Sequence, residues 1–361
     1  MQTNKNSVYI IAEAGVNHNG CKDLAFDLVA AAANAGADAV KFQTFNASRL
    51  ASKTVEKAQY QRLYTDKQET QLEMLAKLEL PESWHVELQH YAHTLGIEFL
   101  STAFDEQSLV FLCTLNLPLY KIPSGELTNG PLLWRFAQTR KPLILSTGMA
   151  TLSEVEQGLA IINHGLQFDT EPRNLDDVWT YWSDAQGREK LLRTVTLLHC
   201  TSQYPTPWSE VNLKAMDTLS VTFGATVGYS DHTAGTMIPI AAVARGARVI
   251  EKHLTLDRDL PGPDHQASLE THEFKQMVDD IRALELSLGS GLKAPQISEW
   301  DTRKAARQSI IAARYLPFGK TIESADLTTA RVGQGISPAW FWDLIGSKTQ
   351  KNYEPGEMLE L

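Results

Sequence analysis

The chain has 361 residues, 43% of them hydrophobic and 21% charged, with a formal net charge of −10. That is the make-up of a folded soluble protein, long enough for one large α/β domain and a small companion. The acidic balance speaks against generic nucleic-acid binding, which draws its affinity from a basic face, but leaves room for a local basic pocket.

Taken in order, the apolar run 8–12 reads as a buried strand ending in Glu13. A helix is predicted over 21–35, stopped by Gly36, then a strand over 39–44. The polar segment 46–69 is too long for an ordinary loop and is expected to reach over a substrate. Pro81 opens a helix to about residue 95, and strands follow at 98–102 and 119–122. Asn129 with Pro131 marks a helix start. A strand over 143–148 precedes Thr151 and Glu154, which have capping-box spacing. Residues 165–193 show no clear period and are expected to form an outer insertion; Trp179, Trp182 and Trp208 read as packing residues. Strands at 195–200, 225–228 and 248–252 complete a set of eight, with a helix over 234–245 between the last two. The helix 271–288 closes the series. Eight strand–helix alternations most simply form a (β/α)8 TIM barrel; an open doubly wound sheet is the alternative, weakened by the lack of a GxGxxG after the first strand. The domains expected are a barrel over 1–289, a Gly/Pro/polar linker over 290–304 and a small β-rich domain over 305–361.

Cys21, Cys113 and Cys200 form no CxxC, so a disulfide or structural zinc is not expected and each reads as a small buried hydrophobe. No signal peptide or bilayer-spanning run is seen, which makes the cytoplasm the expected location.

In a barrel, ligands bind at the C-terminal strand ends. His232 and His253 both follow β-branched runs and are predicted to meet at one edge. Either alone would read as a structural cap; together, two neutral imidazoles suit a divalent metal. Lys41 and Lys121 sit inside apolar runs, where an unpaired ammonium is costly. With the strand-end hydroxyls they suggest an anion site. Glu13 is suited to moving a proton or orienting water, or to pairing with a lysine. Tyr204-Pro205-Thr206-Pro207 is either a rim of the site or a plain turn.

Several strings together resemble the sialic acid synthase family, the phosphoenolpyruvate-dependent nonulosonate synthases. They are Ile11-Ala12-Glu13-Ala14-Gly15-Val16-Asn17-His18-Asn19-Gly20, Val40-Lys41-Phe42-Gln43-Thr44, Lys121-Ile122-Pro123-Ser124-Gly125-Glu126 and Ser146-Thr147-Gly148-Met149. Further along stand His199-Cys200-Thr201-Ser202-Gln203-Tyr204, Gly228-Tyr229-Ser230-Asp231-His232-Thr233 and Gly262-Pro263-Asp264-His265. Arg331-Val332-Gly333-Gln334-Gly335-Ile336 is similar to that family's C-terminal antifreeze-like (SAF) domain.

The resemblance implies condensation of phosphoenolpyruvate with an N-acetylmannosamine-type sugar to a nine-carbon 2-keto acid, N-acetylneuraminate or a relative, plus phosphate. Lys41, Thr102, Lys121, Ser124, Ser146, Ser202 and Ser230 match positions that hold phosphoenolpyruvate. Gln43, Tyr204, Asp264 and Arg331 match sugar-facing positions. Glu13, His232 and His253 match catalytic ones, the two histidines holding Mn²⁺ or Mg²⁺. A domain-swapped homodimer is implied, with Arg331 reaching the partner's barrel. The acceptor stays open between N-acetylmannosamine, its 6-phosphate and the 2,4-diacetamido-2,4,6-trideoxy sugar that leads to N,N'-diacetyllegionaminate. A reading from another class is a non-catalytic carbohydrate-binding or ice-binding protein. A further one is a barrel hydrolase of phosphorylated sugars.

Overall fold

Each apolar run is short and β-branched, and the helical segment after it has an apolar face to bury; parallel strands under helices satisfy both. The computed structural model describes residues 7–52, 55–58, 61–62, 65–66 and 68–360. The strands are β1 (Tyr9–Gly15), β2 (Ala39–Thr44), β3 (Glu98–Ala103) and β4 (Tyr120–Ile122), followed by β5 (Leu143–Ser146), β6 (Val195–His199), β7 (Thr226–Asp231) and β8 (Val249–Thr255). They pair in chain order, all parallel, and β1 also pairs with β8. The sheet is therefore a closed (β/α)8 TIM barrel.

The predicted helix starts are present. Thr151 accepts from the Glu154 N–H while Glu154 accepts from the Thr151 N–H, capping Leu152–Gln167. Asn129 caps Gly130–Gln138, with proline in its first turn. Leu28, Phe42, Phe99, Phe136, Ile250 and Phe274 fill the layer between strands and helices.

Strand parity organises the interior, since alternate residues point in and out. Ile11, Ala39, Leu100, Ile144, Leu198 and Val249 form an apolar floor inside the barrel. Two residues further along the same strands stand Glu13, Lys41, Thr102, Ser146 and Glu251. Gly228 lies at floor level on β7. A Cβ there would come 2.4 Å from the Val249 carbonyl oxygen and 2.6 Å from Leu198, so only glycine lets the strand pass.

Four expectations need correction. β7 and β8 run three residues further than predicted, because Ser230, Asp231, His253 and Thr255 are polar yet buried within strands. Residues 165–193 are largely helical: Leu152–Gln167 ends there, and Leu175–Trp182 and Ala185–Thr194 follow, capped by Asn174 and Asp184. They bury little beyond Val178, Gly187 and Leu191, too few apolar positions to display a period. Trp182 does pack, donating to Glu156 under the Arg188 guanidinium, and Trp179 meets it edge to face at 6.4 Å, but Trp208 is 65% exposed. Cys200 is buried, whereas Cys21 and Cys113 are exposed; all three are free thiols.

The chain divides into two compact units, Met1–Gly289 and Ser290–Leu361. The second contains a helix, Trp300–Ala306, which begins within the span expected to be linker and crosses its end. Its core is Ile310, Leu316, Ile322, Leu327, Leu344, Tyr353 and Leu359 around an antiparallel pair, β9 (Ser309–Ala312) and β10 (Leu327–Ala330). The buried Asp326 carboxylate gathers Arg314, Lys320 and the Glu323 N–H. No helix among the described residues is long and apolar enough to cross a membrane.

Candidate active site

The polar residues above the barrel floor line a cavity of about 460 Å³ at the C-terminal strand ends. Glu13 from β1, Lys41 and Gln43 from β2, Thr102 from β3 and Lys121 from β4 stand on its wall. Ser146, Ser230 and His253 come from β5, β7 and β8, and Ser124, Ser202, Tyr204, His232 and Asp264 from the loops that follow strands. Of the site residues expected from sequence, only Arg331 lies elsewhere. It belongs to the second unit, directly after β10, and is exposed.

The buried charges are paired, as burial demands. Lys41 lies 2.6 Å from Glu13 and 3.5 Å from Glu251, and donates to Thr102 at 2.8 Å. Lys121 donates to Ser146 at 2.6 Å and stands 3.6 Å from Glu251. Ser230 donates to Glu251 at 2.8 Å, and Gln43 to Glu13 at 3.1 Å. Burial works against the Lys41 ammonium, but Glu13 and Glu251 outweigh it and raise its pKa. Burial prevails at Lys121, whose pKa is lowered. It also raises Glu13 despite the neighbouring Lys41. At Glu251 burial is overridden by Lys121 and Lys41, which hold the carboxyl down to about 2. Burial, with Glu13 nearby, pushes Asp264 up to about 7.

Glu251 was not anticipated from sequence. It sits between the two lysines, and its parity with His253 on β8 was the available signal. Glu251→Gln preserves shape and an acceptor for Ser230 but removes the charge shared by Lys121 and Lys41. Lys121, already depressed, should then lose its proton at lower pH than in the parent. The variant's affinity for inorganic phosphate is expected to fall more steeply than the parent's as pH rises from 6.5 to 8.5, because less of its Lys121 stays charged at the higher pH. Calorimetric titration at both pH values measures this; a pH dependence matching the parent's would refute the role given to Glu251.

Parity also separates site residues from scaffold. Lys252 and Asp231 point away from the lumen and form a fully buried pair at 2.5 Å. Ser101 joins Thr44 and His85 outside the barrel. Asn17 donates to the Leu254 carbonyl and to Ser268, and Thr147 to the Leu198 carbonyl. Arg258 is held by the Ser268 carbonyl and Glu273. Cys200, another residue not anticipated, lines the cavity 3.2 Å from the Ser124 hydroxyl.

His232 and His253 meet at the mouth with ring centroids 5.5 Å apart, and the Tyr204 ring packs 4.1 Å from His232 and 5.6 Å from His253. The Tyr204 loop is thus a rim. Burial lowers His232 to about 4 and His253 well below its ordinary value, so both rings are neutral near pH 7. The His232 Nδ1 lies 2.6 Å from the Thr201 carbonyl and must carry the proton, which leaves its Nε2 with a free lone pair. His253 Nδ1 is buried without a hydrogen-bond partner, 3.9 Å from Asp264. Two neutral imidazoles, one with an unsatisfied nitrogen, fit a weakly held divalent cation. Among the described residues no group of three or more His, Cys, Asp or Glu side chains could hold a metal, so further ligands would have to be water or substrate.

Closed parallel strands, a cavity at their C-terminal ends and lysines set beneath paired imidazoles define a barrel protein built to handle an anion. The chain belongs to the NeuB family, whose profile matches residues 28–293. It is 48% identical over 351 residues to the N,N'-diacetyllegionaminic acid synthase of Legionella pneumophila, covering 97% of this chain and 93% of that protein. It is 34% identical to human N-acetylneuraminate-9-phosphate synthase, covering 97% and 91% respectively. Among solved structures, the N-acetylneuraminic acid synthetase of Leptospira borgpetersenii superposes with a TM-score of 0.68 at 32% identity, covering 83% of this chain and 91% of that one.

Proposed function

We propose that this protein condenses phosphoenolpyruvate with an N-acetylated mannose-type sugar to give a nine-carbon 2-keto acid and phosphate. The observation that carries the reading is the ring in which Lys41 with Thr102 and Lys121 with Ser146 flank Glu251 beneath two neutral imidazoles. A small ligand with two anionic ends, phosphate and carboxylate, matches two separate ammonium–hydroxyl pairs. The likeness to synthases of N,N'-diacetyllegionaminic acid at 48% and 43% identity favours the 2,4-diacetamido-2,4,6-trideoxy sugar as acceptor over N-acetylmannosamine.

In this reading C3 of the enol attacks the sugar aldehyde carbon, positive character develops at C2, and water adds there. Phosphate then leaves by C–O cleavage. Lys41 and Lys121 balance the donor's charge, while Ser124, Ser202 and Ser230 supply further hydroxyls. Glu13, with its raised pKa, takes the proton of the water. Gln43, Tyr204 and Asp264 face the sugar. His232 and His253 would hold Mn²⁺ or Mg²⁺, which when bound supplies polarisation of the aldehyde. The second unit acts as an antifreeze-like domain, its Arg331 serving the partner's barrel in a domain-swapped homodimer, and the setting is the cytoplasm.

The test is phosphate release from phosphoenolpyruvate with Mn²⁺ present. Release is expected only when a mannosamine-type sugar is added, faster with the trideoxy acceptor than with N-acetylmannosamine. Equal release without any sugar would instead indicate a hydrolase.

A further inference from the structure

One wall of the cavity is unlike the rest. Val16, Phe45, Met74 and Leu78 are buried in a small apolar cluster of their own, with Leu50, Leu75 and Phe104 half-buried against it. All seven line the same cavity as the lysines. They stand on the segments that follow β1, β2 and β3, whereas the serines stand on or after β4 to β7. Most come from the excursion 45–78, whose described residues are braced at several points. Glu69 is shared by Lys57 at 3.3 Å and Lys77 at 2.6 Å, and Glu79 accepts from the Ala47 N–H at 2.6 Å. Phe45 and Phe104 meet edge to face at 6.0 Å.

A hydroxyl pressed against such a wall gives up its water without gaining a partner, while a methyl group is favoured there. We infer that this wall is a specificity subsite for an alkyl terminus of the acceptor, the C6 methyl of a 6-deoxy sugar, and that Met74 and Leu75 select it over a C6 hydroxyl. The inference rests on the proposed condensation and assigns its specificity to residues outside the lysine–imidazole centre.

The experiment compares two acceptors that differ at C6 alone, 2,4-diacetamido-2,4,6-trideoxymannose and 2,4-diacetamido-2,4-dideoxymannose, with phosphoenolpyruvate and Mn²⁺. The parent protein is expected to favour the deoxy sugar in kcat/KM by roughly 10- to 100-fold, the range available to an apolar pocket facing one added hydroxyl. Met74→Gln, nearly equal in length, should cut that ratio at least about fivefold, through KM for the sugar, with KM for phosphoenolpyruvate unchanged. Leu75→Gln, at a half-buried position that tolerates polarity better, should act in the same direction if Met74→Gln fails to fold. A parent ratio near one, or the parent ratio retained in the folded variants, overturns the subsite while leaving the condensation standing. No turnover of any mannosamine-type sugar by the parent overturns both.

Discussion

Replacing His232 with alanine is expected to lower the turnover of phosphoenolpyruvate and sugar by well over a hundredfold while leaving the barrel folded. Losing an outer-shell partner of a metal ligand typically costs about 10- to 100-fold, and this variant removes the proposed ligand itself. The structural cost is small. His232 Nδ1 donates to the Thr201 carbonyl, and leaving one carbonyl without that donor is worth about 1–3 kcal/mol. The measurement is made in two parts: initial rates of phosphate release, and Mn²⁺ binding followed by electron paramagnetic resonance. Both should fail together in the variant. Parent-like Mn²⁺ affinity in His232→Ala would show that the cation is held elsewhere, whatever the rates.

Lys252→Met should destabilise the barrel by about 3–5 kcal/mol, the usual cost of leaving one member of a buried ion pair uncompensated. Both side chains are fully buried, 2.5 Å apart, and Lys252 also donates to the Thr233 carbonyl. Asp231 keeps hydrogen bonds from the Thr233 N–H and hydroxyl, both at 3.1 Å, which solvate a carboxylate only in part. The double variant Asp231→Asn with Lys252→Met should recover a good share of the loss, because the amide oxygen still accepts from Thr233 and no isolated charge remains. Urea denaturation followed by circular dichroism reports the difference. A loss below about 1 kcal/mol for Lys252→Met would mean that water or a relaxed backbone solvates Asp231 after all.

How much of this was legible beforehand depended on whether local chemistry or strand parity carried the information. Lys41 and Lys121 stood out because each interrupts an apolar run, and both line the cavity. Caps at Thr151 and Asn129 were readable because they are local. Glu251 and Lys252 were not distinguished, because choosing between adjacent residues requires knowing which faces the lumen. Val249 on the floor, with Glu251 and His253 in step above it, settles that choice in favour of the odd-numbered residues. The helices between 165 and 194 were missed because few of their residues are buried apolar ones. The excursion after β2 was expected to reach over a substrate; its apolar cluster was not expected, since Phe45, Leu50, Met74 and Leu78 are scattered through a polar sequence. Residues 53, 54, 59, 60, 63, 64 and 67 of that excursion lie outside the described residues.

The apolar floor bears on the order of events in the proposed reaction. With Ile11, Leu100, Ile144, Leu198 and Val249 closing the lower end, the cavity lies at the C-terminal strand ends above them. A molecule seated on the lysines has to arrive before anything occupies the space above it and cannot depart until that space clears. Under the proposed condensation the enol phosphate is expected to load first and the sugar second, with phosphate released at the bottom waiting behind the nine-carbon acid.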